Sequence, residues 1–414
     1  MKPLFSSLSI LLLLSLLVGA PAVDADSPIK VLSQDQSYSF AQQIRFSAEF
    51  RAISPFSQIT LLFAPQGGWR VFSAELTIPP DKEQVSVSYV LDLQEYPIHP
   101  FARVEFWWNV ETADGATMET EPVSFLYADN RYEWHSAQED NIYVYWTADD
   151  PSLGHTALRI AQDGLERIQS ILPTPLDQEI AIYIYPSLDE LGAAIRLADR
   201  EWVSGVATPD LGVILVTASD GTTAAVDLKH TIPHEVAHFA IEQSAGGRDS
   251  HVPFWLHEGL ASNNTDVPNP IFAQALEKAI EEESLFSLET LCAPPLADQS
   301  STQLFYAQSA SLVRYIQNLY GNQQIRDLVS AYGDGADCNG GVEREFRISL
   351  KELDADWQAH LREGSGDADA EDGVPLDELI IWVGLLGSAA ALAGSFFIFR
   401  PRAAEPEVEY DRSD

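Results

Sequence analysis

The chain changes its hydrophobic rhythm part-way along, and the change divides it. From about Ile29 to Tyr127, apolar and polar residues alternate in short runs broken by turn residues. Ile59-Thr60-Leu61-Leu62-Phe63 runs into Pro65-Gln66-Gly67-Gly68, and Val104-Glu105-Phe106-Trp107-Trp108 leads to Ala113-Asp114-Gly115 before a closing run at 123–126. A period of two is that of a half-buried strand, and Asp-Gly between two such runs marks a hairpin tip. About seven strands at this spacing predict an immunoglobulin-like all-β sandwich over 26–128. No catalytic constellation stands in it, and its aromatic strands read as core.

Beyond a stretch rich in charge and aromatics, expected as a linker over 129–141, the period lengthens. Leu158, Ala161, Leu165, Ile168 and Leu172 keep one helical face apolar until Pro173 and Pro175 stop it. Ile180 to Tyr185 reads as a strand, and Ser187-Leu188-Asp189-Glu190 as a capping box opening a helix. Trp202 to Ala207 and Val213 to Val216 read as two more strands. A helix over 227–243 follows, then amphipathic helices over 271–283, 303–319, 323–332 and 350–361, with Trp357 as a core anchor. With the run His234-Glu235-Val236-Ala237-His238 inside the first of these helices, this order resembles that of zincin-type peptidases and predicts an α+β domain over 142–363.

The two ends predict where the protein resides. Lys2 precedes an apolar run, Ile10 to Val18, too short to span a bilayer; with Val23-Asp24-Ala25 it reads as a secretory signal peptide over 1–25. An acidic Gly/Asp/Ala linker over 364–378 leads into the uncharged run Leu379 to Phe399, long enough at about 1.5 Å per residue to cross a membrane. Arg400 and Arg402 follow it, which places the tail 400–414 in the cytoplasm and the larger part of the chain outside the cell. In an exported chain the two cysteines, Cys292 and Cys338, are expected to form a disulfide. The net charge of −38 excludes nucleic acid as a partner, because a phosphate-binding surface needs the opposite sign.

Candidate chemistry is concentrated in HEVAH, where His234, Glu235 and His238 sit in an apolar run. Histidines at i and i+4 project from one helical face, so their ring nitrogens can converge on Zn²⁺ while Glu235 points at its water. Three protein ligands leave a fourth position for that water, whose pKa the metal lowers towards about 7. Glu235 then serves as general base and returns the proton to the leaving amine. Pro233, immediately before His234, forfeits a backbone hydrogen bond and is expected to bend the helix. Beyond a polar loop, Trp255-Leu256-His257-Glu258-Gly259-Leu260-Ala261 supplies the third ligand, Glu258, on a second helix. His251 and His257 read as neighbours of the site or surface residues rather than ligands.

HEVAH followed by WLHEGLA resembles the gluzincin peptidases, specifically the peptidase MA-like group, and the resemblance runs over about 142–362, through Phe305-Tyr306-Ala307-Gln308-Ser309. It implies a zinc metallopeptidase acting on polypeptides, with His234, His238 and Glu258 as ligands and Glu235 as base. It also suggests Tyr306 as a second oxyanion donor, against a plain core role for that ring. The strand ending at Ala207 is expected to hold an extended substrate, with Gly205, Val206 and Ala207 beside the cleft. The aminopeptidase branch carries there a glutamate-bearing motif that grips a free amine. This chain has Ser204-Gly205-Val206-Ala207-Thr208 instead, which favours an endopeptidase. Two alternatives remain: an aminopeptidase, and a catalytically inactive surface protein that binds a partner through its sandwich.

Overall fold

The computed structural model describes residues 27–364 except 67–70, 177, 196–203, 219–223, 249–250, 266–268 and 295–297. The expected signal peptide, acidic linker, membrane span and tail lie outside the described residues. Among the described residues no helix is long and apolar enough to cross a membrane.

Alternation turns into strands across the N-terminal region: β1 Ile29–Ser39, β2 Gln43–Ala52, β3 Phe56–Pro65, β4 Phe72–Leu76, β5 Gln84–Asp92, β6 Arg103–Thr112, β7 Thr117–Glu119 and β8 Val123–Leu126. They form two sheets, β1-β2-β5 and β4-β3-β6-β7, with β8 also paired to β6. Every second residue of β2 and β6 points inward: Ile44, Phe46, Ala48 and Phe50 face Val104, Phe106, Trp108 and Val110 across the core. The rings of Phe46 and Phe106 lie 5.1 Å apart. This is the packing that the period of two dictates once one face is buried.

Residues 129–141, expected as a linker, are folded. β9 His135–Glu139 pairs antiparallel with β10 Ile142–Trp146. β9 is an edge strand with little of its surface buried, so it lacks the apolar alternation by which a strand is recognised. Asp129 is fully buried and accepts from Arg131 Nε (2.9 Å), Arg131 Nη2 (2.7 Å) and the Tyr185 hydroxyl (3.1 Å).

α1 Pro151–Ile171, β11 Ile180–Tyr185, α2 Leu188–Ile195, β12 Gly205–Thr208, β13 Val213–Thr217 and α3 Ala224–Ser244 follow. The sheet order is β12-β13-β11-β10-β9, with β10, β11 and β13 mutually parallel and β12 and β9 antiparallel at the two edges. β11 shows how both faces are used. Ile180, Ile182 and Ile184 pack under α1 and α3, whereas Tyr183 and Tyr185, with Val213 and Leu215 of β13, face the sandwich and share its core. Phe101 of the sandwich stacks on Tyr183 at 3.5 Å between ring centres.

The remaining helices are α4 Phe254–Asn263, α5 Pro270–Glu281, α6 Leu288–Leu291, α7 Gln299–Tyr320, α8 Asn322–Gly333, α9 Cys338–Phe346 and α10 Leu350–Gly364. They enclose a separate core around Trp255, Phe305, Tyr332 and Trp357. The disulfide between Cys292 and Cys338 forms as expected and ties the end of α6 to the start of α9.

α3 divides the two helical cores. Ile232, Val236 and Phe239 belong to the sheet side, and Ala237, Ala240 and Ile241 to the lower lobe. Pro233 lies inside this helix at its crossing with α1, where a Cβ on Gly164 would come within 2.9 Å of Pro233 Cα. The ring thus occupies a seat that glycine leaves open. Asn264, fully buried, donates through Nδ2 to Pro233 O (2.7 Å) and Gly164 O (3.0 Å), linking three helices at that point. Its neighbour Asn263, the first residue of a formal glycosylation sequon, uses its amide to donate to Ala310 O at 2.9 Å.

Candidate metal centre and active site

A helix buried on all sides must account for every polar side chain it carries. Residues from Asp227 to Ile241 on α3 are largely buried, and His234, Glu235 and His238 are 4%, 0% and 0% exposed. α4 brings Glu258 to the same point, 1% exposed. It can approach because the next residue is Gly259, where a Cβ would lie 2.4 Å from Ser309 O on α7. The glycine lets α4 and α7 pack closely, and that depth sets where Glu258 ends.

One ligand atom each from His234, His238 and Glu258 lies within 4.8 Å of the other two. His234 Nε2 is 3.4 Å from Glu258 Oε2, and neither atom has a hydrogen-bond partner; nor has His238 Nε2. Orphaned nitrogens and a carboxylate oxygen converging in a dry site fit a divalent cation. Burial also lowers the pKa of both histidines, His238 well below the ordinary value, and keeps the imidazoles in the neutral form that ligation needs. Burial pushes Glu258 up to about 8 and Glu235 up to about 7, with His257 pulling Glu258 back and His234 pulling Glu235 back. A cation at the trio would draw both carboxylates towards their ionised forms.

Glu235 stands between the trio and the edge strand β12. A Cβ on Gly205 would come 2.8 Å from Glu235 Oε1 and 2.4 Å from Thr231 Cγ2. Gly205 therefore lies directly against the Glu235 carboxylate, and the Ala207 amide contributes a further lowering of the Glu235 pKa. Tyr306 on α7 is buried with its ring 6.2 Å from that of His234 and stacked on Phe272. His257 stacks on His238 at 4.5 Å, with Nδ1 3.9 Å from Glu258 Oε1, whereas His251 is exposed. Two residues escaped sequence reasoning. His99, from the sandwich, bonds Thr208 at the end of β12 across 109 positions of sequence, and Asn264 ties α4 to α3; neither leaves a local signal.

The sequence profile of the peptidase MA superfamily matches 160–363, the span from α1 to the end of α10 that holds all four residues. Residues 160–363 belong to the peptidase MA superfamily. The ligand set in that segment, two histidines and a glutamate, is of the kind that holds zinc in metallopeptidases. No curated protein matches the chain. Among solved structures, wild-type OgpA from Akkermansia muciniphila is similar at 14% identity and a TM-score of 0.20, over 24% of this chain and 28% of that one. The chain thus spans well under a third of the OgpA length. An M1 zinc metallopeptidase mutant from Deinococcus radiodurans is similar at 12% identity and a TM-score of 0.32, over 84% of this chain and 96% of that one.

Proposed function

We propose that this metallopeptidase is an endopeptidase anchored by the span 379–399 and facing outside the cell. His234, His238 and Glu258 hold its zinc, and Glu235 is the general base. The observation that carries the reading is the position of the Glu235 carboxylate, between the ligand trio and Gly205 of β12. Zinc, when bound there, polarises the scissile carbonyl and makes the attacking water more acidic. An extended substrate adds to β12 through backbone hydrogen bonds, with Gly205 allowing its close approach and Val206 and Ala207 setting its height. Glu235 takes the proton from water and delivers it to the leaving amine. Tyr306 is the second donor to the oxyanion.

Endopeptidase action is favoured over aminopeptidase action by the far end of β12. The side chain there is Thr208, whose hydroxyl is bonded to His99, rather than a carboxylate able to grip an amine. Matched peptides with free and acetylated N-termini test this: comparable cleavage of both is expected, and cleavage of free peptides alone would reassign the enzyme as an aminopeptidase. Glu235→Gln is expected to lower turnover by about 10³-fold with zinc content retained; a variant as active as the parent refutes the assignment. Protease shaving of intact cells, releasing the ectodomain, tests the topology.

A further inference from the structure

The strand beside the Glu235 carboxylate is a short one at the edge of its sheet. β12 has four residues and, among the described residues, pairs on one side only, with β13. Gly205 and Ala207 turn towards α3, Gly205 against Glu235 and Ala207 into the core beneath the helices. Alternation turns Thr208 to the opposite face, towards the sandwich.

There it meets His99. The His99 Nδ1 lies 2.7 Å from Pro100 O, an acceptor, so Nδ1 carries the proton and donates. Burial lowers the His99 pKa and keeps the ring neutral. Nε2 is then the acceptor, and the Thr208 hydroxyl donates to it at 3.0 Å. The loop that presents His99 is itself fixed. Phe101 adopts φ 63°, a left-handed conformation unfavourable for a residue with a Cβ, and is held by its N–H donating to Tyr127 O (2.8 Å) and by its stack on Tyr183. A strained residue locked by two contacts fixes the loop two positions after the imidazole and leaves it little freedom.

We infer that His99 is a positioning residue for peptide substrates, through which the sandwich holds β12 at the height the cleft requires. Its role in catalysis rests on the endopeptidase reading; its hold on β12 does not. His99 touches no reacting atom. It acts by fixing Thr208, so that the backbone groups of β12 are already in place when a substrate strand pairs with them; the ordering cost is met before binding.

The test compares the parent, His99→Ala and His99→Gln in the full ectodomain, using amide hydrogen exchange and the kinetics of an internally quenched peptide. In His99→Ala the amides of Val206 and Ala207 should exchange about tenfold faster, with those of β11 and β13 unchanged. KM should rise about tenfold with kcat within about twofold, since what is lost is substrate binding rather than chemistry. Gln, whose Oε1 can accept from Thr208, should restore both. Unchanged exchange in β12 overturns the inference. So does faster exchange throughout the sheet without rescue by Gln, which would make His99 merely structural, and so does a fall in kcat with KM unchanged. If the parent cleaves no peptide, the endopeptidase reading fails, and the exchange data still decide whether His99 holds β12.

Discussion

Gly205 lies directly against Glu235: a methyl group at Gly205 would come 2.8 Å from Glu235 Oε1. Any side chain there pushes either the base or the edge strand out of place. Gly205→Val is expected to cut kcat/KM about 100-fold, because displacements near 1 Å at reacting groups cost that much. Zinc content, measured by metal analysis, should stay at the parent value. Loss of zinc together with activity would show that β12 supports the metal site rather than the substrate.

Removing the metal should make stability depend on pH in a defined direction. In the metal-free protein burial pushes Glu235 up to about 7 and Glu258 up to about 8, from an ordinary value of 4.5. Folded-state values raised in this way mean that the folded protein holds protons the unfolded chain has released. Their contribution is complete below about 4.5 and is lost as pH rises through about 7 to 8. Between pH 6.5 and 8.5, where both depressed histidines are neutral, the thermal midpoint of chelator-treated protein should fall with rising pH. Zinc-loaded protein should melt higher and show a flatter profile. A metal-free midpoint that rises across this window contradicts the assignment.

Asn264 offers a test remote from the chemistry. Asn264→Leu leaves the carbonyls of Gly164 and Pro233 without its amide, in a site closed to water, and should destabilise the protein by about 1–3 kcal/mol in chemical denaturation. A variant as stable as the parent would mean that the three-helix contact rests on Gly164 and Pro233 alone.

Much of this was legible in the sequence because periodicity reports burial. The strands of the sandwich, Ile180–Tyr185, and the helices α5, α7, α8 and α10 follow from it. The metal trio was legible for another reason: helical geometry fixes the spacing of His234 and His238, and a second motif supplied Glu258. What stayed hidden depends on contacts distant in sequence. β9 looks like a linker because an edge strand buries little. Pro233 looks like a fault in its helix until Gly164 is seen beside it. His99 carries no motif, and its meaning lies entirely in reaching Thr208.

The shared core of sandwich and sheet predicts that the catalytic part does not stand alone. Without residues 27–128, Tyr183, Tyr185, Val213 and Leu215 lose their cover, and Tyr185 and Asp129 lose the fold that holds them together. The truncated protein is expected to aggregate, and the intact ectodomain to melt in one calorimetric transition. Two resolved transitions would show that the halves fold independently.

The disulfide between Cys292 and Cys338 closes a loop that contains all of α7 and α8, Tyr306 included. Loop closure of this length stabilises by about 4 kcal/mol in the chain-entropy picture. It also decides what a single backbone nick does. A cut anywhere between the two cysteines leaves the fragments covalently joined and α7 packed against the helix of Glu258, so the nicked enzyme should migrate as one band until reduced and should keep working.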